Sequence, residues 1–218
     1  MTTVAAPATF ETMADIWEKV GCVPLHRILM VPTPGTATEA DVIAMEGKAN
    51  KRLCELIDGV LVEKAMGFRE SALALALVGL MQPFVRLNNL GILAGEGGMM
   101  RILPNNVRIP DVSFVSWDRL PGRRMPTRPV PHLAPNLAVE VLSQGNTVAE
   151  MERKRQDYFQ AGVELYWEVD PEERIIDVYT SPTQMTRLTV VDTIDGGTVL
   201  PGFTLSVQTW FDDMDRHG

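Results

Sequence analysis

The stretch whose reading decides the fold is Leu137-Ala138-Val139-Glu140-Val141-Leu142, taken with Ile109-Pro110-Asp111 before it and with Lys154 and Tyr166-Trp167-Glu168-Val169 after it. Residues 137–142 are a strand by composition, apolar throughout except for one charge. Side chains alternate along a strand, so Leu137, Val139 and Val141 share one face and Ala138, Glu140 and Leu142 the other. Glu140 is then the single charge of a core strand. A carboxylate is expensive there unless a cation pairs with it or a ligand binds it. A second strand follows at 163–169, and between the two lies a helix of about 147–161, with Asn146 as its cap and Gly162 at its end. A strand–helix–strand unit of this length implies a parallel pair joined by a crossover helix.

Working outward, Asp111 enters another apolar run at 112–115; Pro-Asp is also a common turn pair, so a capping role is an alternative. Val148, Met151, Tyr158 and Phe159 form the apolar stripe of the 147–161 helix, and Lys154 flanks it. Lys154 therefore either leans towards the sheet or is solvated between Arg153 and Arg155. Arg155 falls near the stripe's centre, which periodicity does not explain.

Upstream, Cys54-Glu55-Leu56-Ile57 and Val60-Leu61-Val62-Glu63 flank Asp58-Gly59, a strong hairpin turn. Glu55 is either an exposed strand residue or a functional acid. A helix of about 69–87 is apolar nearly all round and should be buried, with Pro83 kinking or restarting it. Strands are expected at 91–95, 98–103 and 111–116, then a Pro-rich loop at 117–135 carrying Arg119, Arg123, Arg124 and Arg128. Beyond 170, residues 174–180 and 185–191 read as antiparallel strands, and the tail with Trp210-Phe211 packs back. Residues 1–50 read as an extension packed on the core, with a helix of about 10–20 capped by Thr9 and a second begun by the capping box Thr38-Glu39-Ala40-Asp41. Residues 51–212 form the core. The fold class is α/β (α+β), with a central mixed β-sheet flanked by helices.

The chain has 218 residues and a net charge of -8, which excludes a generic basic coat for nucleic acid but not an enzyme with a local site. Two cysteines, Cys22 and Cys54, form no CxxC pair and suit reduced thiols in a cytoplasmic protein. The most apolar run, 72–81, is shorter than a bilayer span, so no membrane association is expected. His26, His132 and His217 lack zinc-ligand spacing, and Gly95-Glu96-Gly97-Gly98 lacks the lysine of a phosphate loop.

The order Pro-Asp, Glu within an apolar strand, then Lys resembles the PD-(D/E)XK nuclease superfamily. More closely, residues 54–63, Ile109-Pro110-Asp111-Val112, Glu140-Val141-Leu142-Ser143, Lys154, Tyr158, Ala161-Gly162-Val163 and Tyr166-Trp167-Glu168-Val169-Asp170-Pro171 together resemble the Uma-type restriction endonucleases, over roughly residues 50–212. The resemblance implies a restriction endonuclease-like core that cleaves DNA with Mg²⁺, Mn²⁺ being a substitute. It implies Asp111, Glu140 and the backbone carbonyl of Val141 as metal ligands, Lys154 as a catalytic charge and Glu55 as a supporting acid. The superfamily lysine comes two residues after the acid, where this chain has Leu142; its charge would pass to Lys154. Glu70 matches an acid that superfamily members add on the long helix, and Arg108, which precedes Ile109-Pro110-Asp111, is a candidate for phosphate contact. Tyr158 and Trp167 read as packing residues. A homodimer would supply two sites for two strands. The alternative is a catalytically inactive nuclease fold serving as a dimeric interaction or nucleic-acid-binding module, which the acidic charge and the displaced lysine keep open.

Overall fold

The computed structural model describes residues 8–47 and 52–214. Two antiparallel-rich sheets meet at its centre. The larger is mixed and has the order β11-β10-β9-β8-β7-β4, built from β4 (Gly91–Gly95), β7 (Val112–Ser116), β8 (Leu137–Val141), β9 (Leu165–Asp170), β10 (Ile175–Tyr179) and β11 (Met185–Leu188). Its one parallel pair is β8 with β9, Leu137 opposite Leu165 and Val141 opposite Val169. Helix α4 (Val148–Gln160) is the crossover between them, as the spacing required.

The second sheet is antiparallel, in the order β1-β3-β2-β6-β5, from β1 (Ile28–Leu29), β2 (Cys54–Ile57), β3 (Val60–Glu63), β5 (Met100–Leu103) and β6 (Asn106–Arg108). The expectation of one central sheet is extended accordingly. Strand β6 escapes a sequence reading because it is three residues long and Asn106 looks like turn residue. The turn is made by Asn105, whose φ is 54°. The β2–β3 hairpin turns through Asp58 (φ 49°) and Gly59 (φ 81°), the left-handed pair that a two-residue hairpin of this kind requires. Gly59 has a second constraint: a Cβ there would lie 2.5 Å from the backbone of Gly35.

Two cores sit on the faces of the mixed sheet. On one, α3 (Phe68–Leu87) and α5 (Val207–Asp212) cover Val112, Phe114, Leu137, Val139, Trp167 and Val169. The tail is locked by Trp210, whose indole N–H donates to the Leu73 carbonyl at 3.0 Å. On the other face Ala138, Tyr158, Tyr166 and Tyr179 pack with Met100 and Ile102 of the second sheet. A further two-stranded ribbon, β12 (Thr193–Asp195) with β13 (Thr204–Ser206), leads into α5.

Several local expectations are corrected. Helix α3 is buried on one face only, through Leu73, Ala74, Leu77, Met81 and Val85, while Phe68, Leu75 and Leu87 are 93%, 71% and 87% exposed. Its 20 residues have the length and hydropathy of a membrane-crossing helix, so the shorter count from the 72–81 run was too low. It runs unbroken through Pro83, which lies on the exposed face where water can serve the unpaired carbonyl one turn back. Helix α1 (Met13–Lys19) is capped by Thr12 rather than Thr9, since Asp15 completes the reciprocal box. Helix α4 is capped by Thr147, whose hydroxyl accepts from Glu150 N–H, whereas Asn146 accepts from Ser143. Helix α2 (Glu39–Glu46) begins at Thr38 as expected. Residues 16–28 pack Ile16, Val20, Val23 and Ile28 on Ile57, Val60 and Val62 of the hairpin.

Candidate active site

Strand register brings the first two acids together. Val112 pairs with Val139, so the next step sets Asp111 opposite Glu140. The backbone confirms it: Asp111 N–H donates to the Val139 carbonyl at 3.0 Å, and Val141 N–H donates to Asp111 Oδ2 at 2.7 Å. Asp111 is the more accessible acid, its side chain 12% exposed.

Lys154 reaches the sheet. It is buried, with its ammonium 3.0 Å from Glu140 Oε2 and 3.6 Å from Glu55 Oε1. Tyr158, one turn on, donates its hydroxyl to Glu140 Oε1 at 2.7 Å. Glu55 on β2 is buried rather than exposed. It accepts from Arg108 at 2.8 Å and from Ile109 N–H at 3.0 Å. Arg108 also pairs with Asp157 of α4. Asp111, Glu140, Lys154 and Glu55, nominated from the sequence, thus belong to one connected cluster.

The reading of α4 from its apolar stripe holds for Met151 and Tyr158, with Phe159 partly buried, but it fails at Val148 and misses the buried charges. Its buried face is Glu150, Met151, Lys154, Asp157 and Tyr158, and Val148 is 87% exposed. Each charge on that face has a partner on another element, so the inward surface of the helix is mostly polar. Arg155, unexplained by periodicity, lies with its guanidinium 4.4 Å over the Tyr179 ring and donates to the Pro182 carbonyl. Tyr158 is more than a packing residue, and Arg108 is enclosed by acids rather than free for phosphate.

Lys64 was missed. Its ammonium lies 2.8 Å from Asp111 Oδ1 and donates to the Ile109 carbonyl. Alternation gives no signal for it: Val60, Leu61 and Val62 are all buried, so both faces of the strand are covered, and Lys64 lies one residue past its end. It also lines a cleft of about 450 Å³ with His26, Glu63, Glu70, Ser143 and Gln144. Glu70 is therefore on the rim of the cleft.

Electrostatics differ sharply among the buried groups. Burial alone would raise Glu55, but Lys154 and Arg108 outweigh it and hold the carboxyl down at about 2. At Glu140 burial prevails over Lys154, and the carboxyl is raised. Burial works against the charge of Lys154, yet Glu140 and Glu55 more than offset it, and the ammonium is held well above its ordinary value. Burial and then Glu140 push the Tyr158 hydroxyl far up, so it stays a proton donor.

Arg119 and Arg123 of the Pro-rich loop do not reach this cleft. Arg119 is spent on the Ala134 and Pro135 carbonyls and on Glu164, and Arg123 pairs with Asp118. Their loop leaves β7 at Ser116, the far end of the strand from Asp111. Among the described residues no three His, Cys, Asp or Glu side chains form a ready metal cage. The oxygens that could hold a cation are those of Asp111 and Glu140, with the adjacent Val141 carbonyl; a hard ion that keeps several waters suits so small a set.

Comparison with known proteins agrees with this architecture. A crystal structure described as a putative nuclease belonging to DUF820 from Anabaena variabilis superposes with a TM-score of 0.67. It is 19% identical over 75% of this chain and 92% of that chain, a likeness of fold. No curated protein matches. The family Uma2, described as "Putative restriction endonuclease", matches residues 40–208, and the chain belongs to that family.

Proposed function

We propose that the protein is a Mg²⁺-dependent endonuclease that hydrolyses DNA phosphodiester bonds, with Asp111, Glu140, Lys154 and Glu55 as its working residues. The observation that carries this reading is the facing of Asp111 and Glu140 across β7 and β8 with the Lys154 ammonium 3.0 Å from Glu140. Asp111, Glu140 and the Val141 carbonyl would hold Mg²⁺, or Mn²⁺ in its place. Bound there, the ion would neutralise the phosphodiester and render a coordinated water acidic.

The chain's own residues supply the rest. Tyr158 fixes one oxygen of Glu140 and Lys154 the other, so the carboxylate cannot rotate. Glu55, held ionised by Lys154 and Arg108, anchors the lysine from its far side. Lys154 keeps its proton and offers fixed positive charge next to the reacting phosphate, where charge develops in the transition state. A homodimer suits a task that needs two cuts, and a cytoplasmic setting suits two thiols.

The test is cleavage of supercoiled plasmid and of single-stranded DNA with Mg²⁺ or Mn²⁺. Wild type should cut, and Glu140→Ala should lose about 10²-fold or more in rate. Equal rates would remove Glu140 from the site. A second reading, an inactive nuclease fold used as an interaction module, is favoured by one observation. All four oxygens of Asp111 and Glu140 already accept donors from the protein. Absence of cutting by wild type on every substrate, with either ion, would select it.

A further inference from the structure

Lys64 has no part in the scheme above, yet its ammonium forms an ion pair with the more accessible acid. Of the two Asp111 oxygens, Oδ2 is taken by the Val141 N–H. Oδ1 is the oxygen left for a cation, and the Lys64 ammonium holds it at 2.8 Å. An ammonium and a divalent ion on that one oxygen would repel each other and compete for its lone pairs.

We propose that Lys64 is the resident counter-ion of Asp111, holding that carboxylate in the metal-free protein and swinging into the adjoining cleft when a divalent ion binds. The inference rests on the metal-dependent reading given above. The two lysines of the site differ in a way that assigns these separate roles. Lys154 is boxed between Glu140 and Glu55. Lys64 is as buried, its side chain 2% exposed and its ammonium also donating to the Ile109 carbonyl, but it borders the cleft of about 450 Å³, which gives the side chain an open side. Its backbone stays put, because Lys64 N–H donates to the Leu53 carbonyl at 2.8 Å just beyond the hairpin strand. An unbranched four-carbon stem can carry the ammonium out without moving the main chain. Glu63 and Glu70 on the cleft wall would receive it. Once there, Lys64 places positive charge where an incoming phosphate must pass, so metal loading and substrate attraction are coupled through one side chain. While the carboxylate lacks a metal, the same lysine spares it the cost of standing unpaired in a nearly buried site.

The experiment measures Mn²⁺ binding by calorimetry, without nucleic acid and at fixed ionic strength, for wild type, Lys64→Met and Asp111→Asn. Removing the competitor should tighten binding about tenfold in Lys64→Met, and Asp111→Asn should abolish it. A gain under threefold, with binding still lost in Asp111→Asn, overturns the role of Lys64 and leaves the metal site standing. No Mn²⁺ binding by wild type or Lys64→Met, or binding indifferent to Asp111→Asn, overturns the metal site and this inference with it. A measurement on wild type covers the case of a misfolded variant. Acetylation of Lys64, followed by mass spectrometry, should rise several-fold on Mn²⁺ addition while that of exposed Lys19 stays constant; no rise overturns the inference.

Discussion

Glu55 and Glu140 are two buried glutamates on strands of different sheets; burial raises both carboxyls, yet their net shifts run in opposite directions. Glu55 has Lys154, Arg108 and a backbone N–H around it, and these cations hold it at about 2. Glu140 has a shared lysine and a neutral tyrosine, with Asp111 and Glu55 nearby to oppose its charge. A depressed carboxyl stabilises the fold fully above its unfolded value of about 4.3, and that contribution fades as pH falls towards its folded value. Acid unfolding followed by circular dichroism should therefore develop between about pH 4 and pH 2, and Arg108→Met should move it to higher pH. An unmoved transition would show that Arg108 does not set the titration of Glu55. Ionisation of Glu140 works in the other sense and costs stability as pH rises. Lys154→Met leaves two buried carboxylates short of their cation, so it should lower stability by about 3–5 kcal/mol, read by urea denaturation, as well as abolish cleavage. Glu140 itself was legible in the sequence because a charge inside an apolar strand stands out. Lys154 was legible only by resemblance, since it lies among arginines on a helix.

At the scale of elements, α4 carries the most instruction. Apolar periodicity finds the buried face of a helix when that face is apolar. Here Glu150, Lys154 and Asp157 are buried because Arg27, Glu140 and Arg108 come to meet them, and none of these partners is local. The Arg27 pair shows how such a contact holds elements together. Its guanidinium takes both oxygens of Glu150, at 2.7 and 2.9 Å, and also donates to the Glu63 and Gly145 carbonyls. It ties the N-terminal segment, the hairpin and α4 at one point beside the cleft. Arg27→Met should cost about 3–5 kcal/mol in chemical denaturation, because it orphans Glu150. Limited proteolysis should then cut first within residues 8–30; a pattern like that of wild type would place the holding force elsewhere. Helix α3 fails in the opposite direction. Its apolar composition on every side predicts burial, but a helix laid over one sheet can bury only one face.

For the whole molecule, the family match begins at residue 40, yet the hairpin strands are covered by what precedes it. A chain started at residue 40 would uncover Ile57, Val60 and Val62 and strip Glu150 of Arg27. It should be aggregated or unfolded by size-exclusion chromatography and circular dichroism; a monodisperse chain with a sharp thermal transition would show that the core stands alone. The sequence by itself determined what depends on local chemistry. Asp58-Gly59 dictated the hairpin, the spacing of 137–169 dictated a parallel pair under a crossover helix, and the apolar setting of Glu140 marked it as a group that needs a partner. Only the tertiary structure decided who that partner is. Two sheets had to meet before Glu55 and Arg108 could approach α4, before its charges could turn inward, and before Lys64 could reach Asp111. The reason is physical: a buried charge is stabilised by whatever lies within a few ångströms, and those neighbours come from strands far apart along the chain.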